Sequence, residues 1–176
     1  MRKVAVIGIG QTSVAENWDR SLRELVGDAI LSALQDAQLS TADAFFIGNM
    51  MSSAANNQQN IGAYIGDWVG ARGAEGMRIE SACSSGAAAF RAAVLAVASN
   101  EVNVAVAAAV EKITDSPGAE TTAYLATAAD ADWESDLGVS FVALNALFMP
   151  RYMHEYGWDP ASFVNFSING QDNAIN

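Results

Sequence analysis

The chain has 176 residues, 51% of them hydrophobic, 16% charged and 9% aromatic, with a formal net charge of −11 at pH 7. That length suits one compact domain or a large part of a bigger protein, and the apolar content excludes a disordered chain. Twenty Asp plus Glu against nine Lys plus Arg is the wrong balance for gripping a phosphate backbone, which argues against nucleic-acid binding.

The first apolar run, Val4-Ala5-Val6-Ile7-Gly8-Ile9, is expected to be a strand buried on both faces. Ser21-Leu22-Arg23-Glu24 has the form of a capping box, in which Ser21 satisfies a free backbone N–H and Glu24 reaches back. Behind it Leu22, Leu25, Val26, Ala29, Ile30, Ala33 and Leu34 recur at helical spacing, with Arg23, Glu24, Asp28 and Gln35 on the other side. Ala44–Gly48 reads as a second strand, residues 52–60 as a polar stretch and residues 61–69 as a short helix. Residues 77–82 give a third strand, residues 84–99 an Ala-rich helix, and residues 102–110 a fourth strand rich in Val and Ala. The order βαβαβαβ predicts an α/β fold with a mostly parallel sheet.

The longest apolar stretches, residues 86–98 (interrupted by Arg91) and 102–110, fall short of the roughly 20 residues that a bilayer requires. Met1-Arg2-Lys3 followed by residues 4–9 lacks the apolar length and the cleavage site of a signal peptide. No membrane association and a cytoplasmic location are therefore expected. Residues 112–138 are long, polar and without a period, as in a functional loop or an excursion from the sheet. A helical pattern returns over residues 141–156 and stops at Gly157, and Asp159-Pro160 supplies an N-cap and a first helical residue for another helix. Two domains result: an α/β domain over residues 1–115 and part of a helical domain over residues 116–176.

Cys83 is the candidate catalytic residue. It sits in Glu80-Ser81-Ala82-Cys83-Ser84-Ser85-Gly86, between a strand and the start of a helix, where the helix dipole and free backbone N–H groups favour developing negative charge. The alternative for a lone Cys in an apolar chain is a small buried hydrophobe. One Cys excludes an internal disulfide and any multi-Cys metal site. Gly8-Ile9-Gly10 resembles a dinucleotide fingerprint only weakly, because Ser13 occupies the third Gly position and the helix opens late; a tight loop explains it better. His154, the single histidine, reads as a partly exposed helix residue rather than a general base. No metal site is expected: the acids of residues 130–136 lack the turn Gly and the final Glu of a calcium loop.

The cluster around Cys83, followed at the right distance by Ala109-Val110-Glu111-Lys112-Ile113-Thr114, resembles the thiolase superfamily. Within it, the likeness is to sterol-carrier-protein-type and archaeal thiolases of the acetyl-CoA acetyltransferase kind. Further matches are residues 4–10, Gln59-Asn60, and Arg151-Tyr152-Met153-His154-Glu155-Tyr156-Gly157. The resemblance implies a thiolase-like fold, here its N-terminal βαβαβαβ half plus part of a helical loop domain. It implies that Cys83 takes an acyl group from coenzyme A as a thioester, that its backbone N–H helps to hold the oxyanion, and that a second acyl-CoA carbanion attacks. Coenzyme A thioesters are then substrates, and no further cofactor is implied. Also implied are a homodimer with residues 50–60 near its interface, and for some relatives an OB-fold/zinc-ribbon partner or aldolase chemistry on steroid side chains; the aldolase-type relatives lack the Cys. The family's remaining half, which completes the first sheet and brings a Gly-His-Pro histidine as base, has no match here, and Gln171 stands where a His is usual. The isolated 176-residue chain is accordingly expected not to turn over.

Overall fold

The structure, a computed structural model, describes residues 2–175. It divides into two compact units, Met1–Tyr124 and Leu125–Asn176. In the first, helix α1 (Leu22–Asp36), strand β1 (Ala44–Gly48), the short helix α2 (Ser52–Ala55) and helix α3 (Ile61–Trp68) precede strand β2 (Glu75–Ile79). A 3-10 turn over Ala82–Ser84 then runs into helix α4 (Ser85–Ala98), and strand β3 (Ala105–Ala109) follows. The strands pair in parallel in the order β2-β1-β3, with Phe45 opposite both Gly76 and Val106. The α/β class and the parallel sheet expected from the sequence are both present.

β1 is the centre of the unit because all five of its residues are buried. Its alternating side chains face two cores, as the pleat requires. Phe45 and Ile47 pack with Val26, Ile30 and Leu34 of α1 and with Ile61 and Ile65 of α3. Ala44 and Phe46 pack on the opposite side with Ala89 and Ala93 of α4. The small side chains of α4 are what bring that helix close to the sheet. α1 starts where its sequence says: the Ser21 hydroxyl accepts the Glu24 N–H, and the Glu24 carboxylate accepts the Ser21 N–H at 2.7 Å. The Ser21 hydrogen bonds hold the Glu24 carboxyl below its usual range. Asp43 does similar work ahead of the sheet, accepting the N–H groups of Asn103 and Val104 at 2.8 and 2.9 Å and so tying the entry of β3 to that of β1.

The first expected strand is corrected. Residues 4–9 form no ladder, and Val6, Ile7 and Ile9 are 65%, 57% and 75% exposed rather than buried. The segment is held at its ends: the Arg2 guanidinium donates to Val97 O and Asn103 Oδ1, and the Ile9 N–H donates to Asp36. An apolar groove of about 490 Å³ separates it from β3. Without a neighbouring strand within hydrogen-bonding reach, an apolar run stays merely extended.

Beyond β3, helix α5 (Gly118–Ala126), a π-helical turn (Ala131–Ser135), α6 (Phe141–Ala146), α7 (Phe148–Tyr156), a 3-10 turn (Pro160–Phe163) and α8 (Val164–Asn173) follow. The single helical pattern over residues 141–156 is two helices because Pro150 has no N–H to donate one turn back, and the chain breaks at Leu147. Gly157 closes α7 at φ +67°, and the Asp159 side chain accepts the Ser162 N–H, as the sequence predicts for a stop and an N-cap. Tyr152 meets the rings of Tyr156, Trp158 and Phe163 at 4.6, 5.8 and 6.0 Å. No described residue of this second unit is buried.

Two glycines set the approach of α3 to β2. A Cβ on Gly62 would lie 2.5 Å from the backbone of Gly76 and Met77, whereas one on Gly66 of the same helix meets nothing within 4 Å. Gly62→Ala is expected to cost about 1–3 kcal/mol, because backbone rather than a flexible side chain must yield. Gly66→Ala is expected to be neutral or to stabilise by up to about 1 kcal/mol. Urea unfolding of the two variants checks both values.

Candidate active site

Parallel strands present their carboxyl ends together, and ligands of such sheets collect where the strand connections diverge to opposite sides. Here β1 is that point, since β2 and β3 lie on either side of it. The three strands end at Gly48, Ile79 and Ala109, and each is followed within two residues by a polar side chain: Asn49, Glu80 and Glu111.

Cys83 lies in the 3-10 turn between β2 and α4, and its thiol is free and exposed. The exposed position removes the buried-hydrophobe reading. Ala82, just before it, adopts φ +46°, a conformation that costs a residue with a Cβ on the order of 1 kcal/mol or more. Surrounding hydrogen bonds hold it there. A Glu80 carboxylate oxygen accepts the Ala82 N–H at 2.5 Å. The buried Ser85 hydroxyl accepts the Ser81 N–H at 2.9 Å and donates to Ala82 O at 2.6 Å. The Ser84 hydroxyl donates to Ser81 O at 2.7 Å. No side chain caps the N-terminus of α4, so the first turn of a 14-residue helix points its dipole at the cysteine turn.

Behind this turn is a polar cluster with few open valences. Asn49, fully buried, donates its N–H to Ile79 O at 3.1 Å and its side-chain NH2 to Val110 O at 2.8 Å. That NH2 also reaches Glu111 at 3.1 Å, and the Asn49 side-chain oxygen accepts the Ser52 N–H at 2.9 Å. Asn49 thereby joins the ends of all three strands. Glu111 accepts the N–H groups of Met50 and Met51, while Arg78 donates to Asn49 O, Met50 O and Ser53 Oγ. Burial raises the Glu111 carboxyl above its usual range; the Met50 and Met51 N–H groups and Arg78 oppose this, and nearby Glu80 adds to it.

Residues 4–158 match the family model described as thiolase, N-terminal domain. The chain belongs to the thiolase family. An acetyl-CoA acetyltransferase of Methanothermobacter thermautotrophicus is 39% identical over 178 residues, which is 100% of this chain and 46% of that protein. The acetyl-CoA acetyltransferase of Methanocaldococcus jannaschii is 36% identical over 99% of this chain and 44% of its own length. Among solved structures, the Ltp2-ChsH2(DUF35) aldolase is similar with a TM-score of 0.58 and 25% identity, covering 88% of this chain and 38% of that chain. The chain thus spans about half the length of the curated relatives it matches.

Gly8 and Gly10 rest against the backbone of α1, where a Cβ would fall 2.3 Å from Ala33 O and 2.1 Å from Ala29 O; close helix packing explains their lack of side chains. His154 is exposed in the last turn of α7, and Gln171 is exposed in α8, both in the second unit. The Asp130 carboxylate caps the π-helical turn by accepting the Trp133 N–H. Among the described residues no group of three His, Cys, Asp or Glu side chains is placed to hold a metal ion. Asn49 and Arg78 escaped the sequence reading, although a polar residue directly after a wholly apolar strand was a usable signal.

The raised Glu111 carboxyl has a signed consequence for stability. Above its ordinary value of 4.5 the unfolded chain releases this proton first, so the native state holds more protons and its stability falls as pH rises. The decline ends once pH has passed the raised native value. Wild type is therefore expected to lose stability relative to Glu111→Gln as pH increases through that window, and urea midpoints of the two proteins measured across it check the sign.

Proposed function

We propose that this chain contributes the acyl-accepting half of a thiolase-type acyltransferase, acting on acetyl-CoA or a related acyl-CoA through an S-acyl-Cys83 intermediate. The observation that carries the reading is an exposed thiol on a tight left-handed turn, at the sheet's carboxyl end and ahead of an uncapped helix. In the forward step Cys83 Sγ attacks the thioester carbonyl and the carbonyl oxygen takes up negative charge. Backbone N–H groups at the start of α4 are the donors available to meet it. Collapse expels the coenzyme A thiolate, which takes the proton released by the Cys83 thiol, leaving acyl-Cys83 and free coenzyme A.

The base that moves that proton is assigned to polypeptide outside these residues. The sequence holds one histidine, and among the described residues the carboxylates beside the turn, Glu80 and Glu111, are engaged with the Ala82 N–H and with Asn49. A second acyl-CoA carbanion would then attack acyl-Cys83, or coenzyme A would cleave a 3-ketoacyl-CoA in reverse. A homodimer, an OB-fold/zinc-ribbon partner, a role in lipid metabolism and a cytoplasmic location belong to the same proposal. No helix is long and apolar enough to cross a membrane among the described residues.

A second reading makes the chain a partner-dependent subunit of an aldolase-type complex, and the likeness to the Ltp2-ChsH2(DUF35) aldolase over 88% of this chain favours it. The exposed cysteine favours acyl transfer instead. Intact mass spectrometry after incubation with acetyl-CoA, alone and with the complementary second-half polypeptide, separates the two. One acetyl group mapping to residue 83 and lost in Cys83→Ser is expected. No adduct with both halves present, or an equal adduct on the Ser variant, overturns the acyl-transfer reading. The isolated chain is expected to acylate slowly and not to thiolyse acetoacetyl-CoA.

A further inference from the structure

We infer that Glu111 is a positioning residue for the turn that carries Cys83, acting through Asn49 and the end of β1. The inference deepens the acyltransfer reading, on which its catalytic relevance rests, but its geometry concerns only the turn. Glu111 gathers donors that otherwise point the same way: the N–H groups of Met50 and Met51 and the side-chain NH2 of Asn49. Arg78 takes the carbonyls of Asn49 and Met50 from the other side, so a carboxylate and a guanidinium clamp residues 49–53 between them.

This clamp bears on the cysteine turn by two short routes. Along the backbone, the Asn49 N–H holds Ile79 O, the last residue of β2, and Glu80 follows directly to accept the Ala82 N–H. Through space, Gly48 lies under the first turn of α4: a Cβ on it would fall 2.6 Å from Ser85 O and 2.8 Å from Gly86 Cα. Gly86 in turn lies against Ala109, two residues before Glu111, with only 3.1 Å for a Cβ. Gly48 thus rests on backbone and Gly86 on the Ala109 Cβ, with no flexible side chain to absorb a shift. Ser85, whose hydroxyl closes the turn, sits at that contact. A displaced Asn49 must move the turn.

Glu111→Gln keeps the side-chain length but turns one acceptor into a donor facing other donors. Glu111→Asp keeps the charge and withdraws it by one methylene. Both are compared with wild type, with Leu34→Ala in the α1 core as a control for general destabilisation. One readout is the rate of alkylation by iodoacetamide, which reports position 83 alone because the chain has a single cysteine. The other is amide hydrogen exchange over residues 49–53 and 80–86. Glu111→Gln is expected to change the alkylation rate about fivefold, the worth of one net hydrogen bond, and to speed exchange in both segments. Glu111→Asp is expected to move both readouts the same way by less, and it carries the test if the Gln variant does not fold. Leu34→Ala is expected to leave both native-state readouts at wild-type values. Faster exchange confined to residues 49–53 with unchanged alkylation overturns the inference, as does a Leu34→Ala variant that reproduces the shift. Neither readout needs an acyl-CoA, so a failure of Cys83 to acylate leaves this result standing.

Discussion

Burial of β1 on both faces is the constraint from which the site follows. A strand whose four side chains all serve packing, and whose Gly48 lies against α4, has none left for chemistry. The polar groups of the candidate site stand instead just beyond the strand ends, where side chains emerge from the sheet. Exiting there exposes backbone groups that have left the ladder, and a buried N–H or C=O without a partner costs about 1–3 kcal/mol. Asn49 resolves this for all three strands at once, because its amide offers two donors and an acceptor in addition to its own backbone groups. An Asp in its place could accept but not donate to Val110 O, and a Leu could do neither.

The cysteine turn applies the same economy in reverse. Ala82 holds an unfavourable backbone angle, which persists only if its surroundings over-determine it. Three hydroxyls and one carboxylate within six residues supply that determination. Their effect is to present Cys83 outward from a rigid base, where a flexible loop would average the thiol over many positions. Precise placement matters for covalent chemistry, since attack on a carbonyl requires a near-attack geometry and an ångström of drift is costly. The small residues of α4 belong to this arrangement too: a bulky residue at Gly86 or Ala89 would lift the helix and the turn with it.

Much of this was legible in the residues. The capping box at Ser21 and Glu24 is a local device with a local signature, and it forms as written. β1 is a wholly apolar run flanked by turn residues, and its bounds are those read from the sequence. Residues 4–9 carry the same signature and fail to join a ladder, because periodicity reports the side chains a strand offers and not whether a neighbour lies within 5 Å. Asn49, Arg78 and Glu111 meet from distant parts of the chain, and such convergence has no footprint in spacing. Glu111 belongs to the motif behind the family resemblance, but the motif gives no reason for a carboxylate; the donors of residues 50 and 51 give one.

The second unit poses the opposite problem to β1. Trp133, Leu137, Val142, Leu147, Phe148 and Phe166 are all exposed there, and none of its described residues is buried. Fixing each backbone residue costs about 1–2 kcal/mol, and burial of apolar area is the main term available to offset it. The contacts of Tyr152 with three other rings are a small return on that scale. That burial term is therefore small in this unit. The relatives matched along the whole chain are about twice its length. The acyltransferase proposed above likewise takes its base from polypeptide outside these residues.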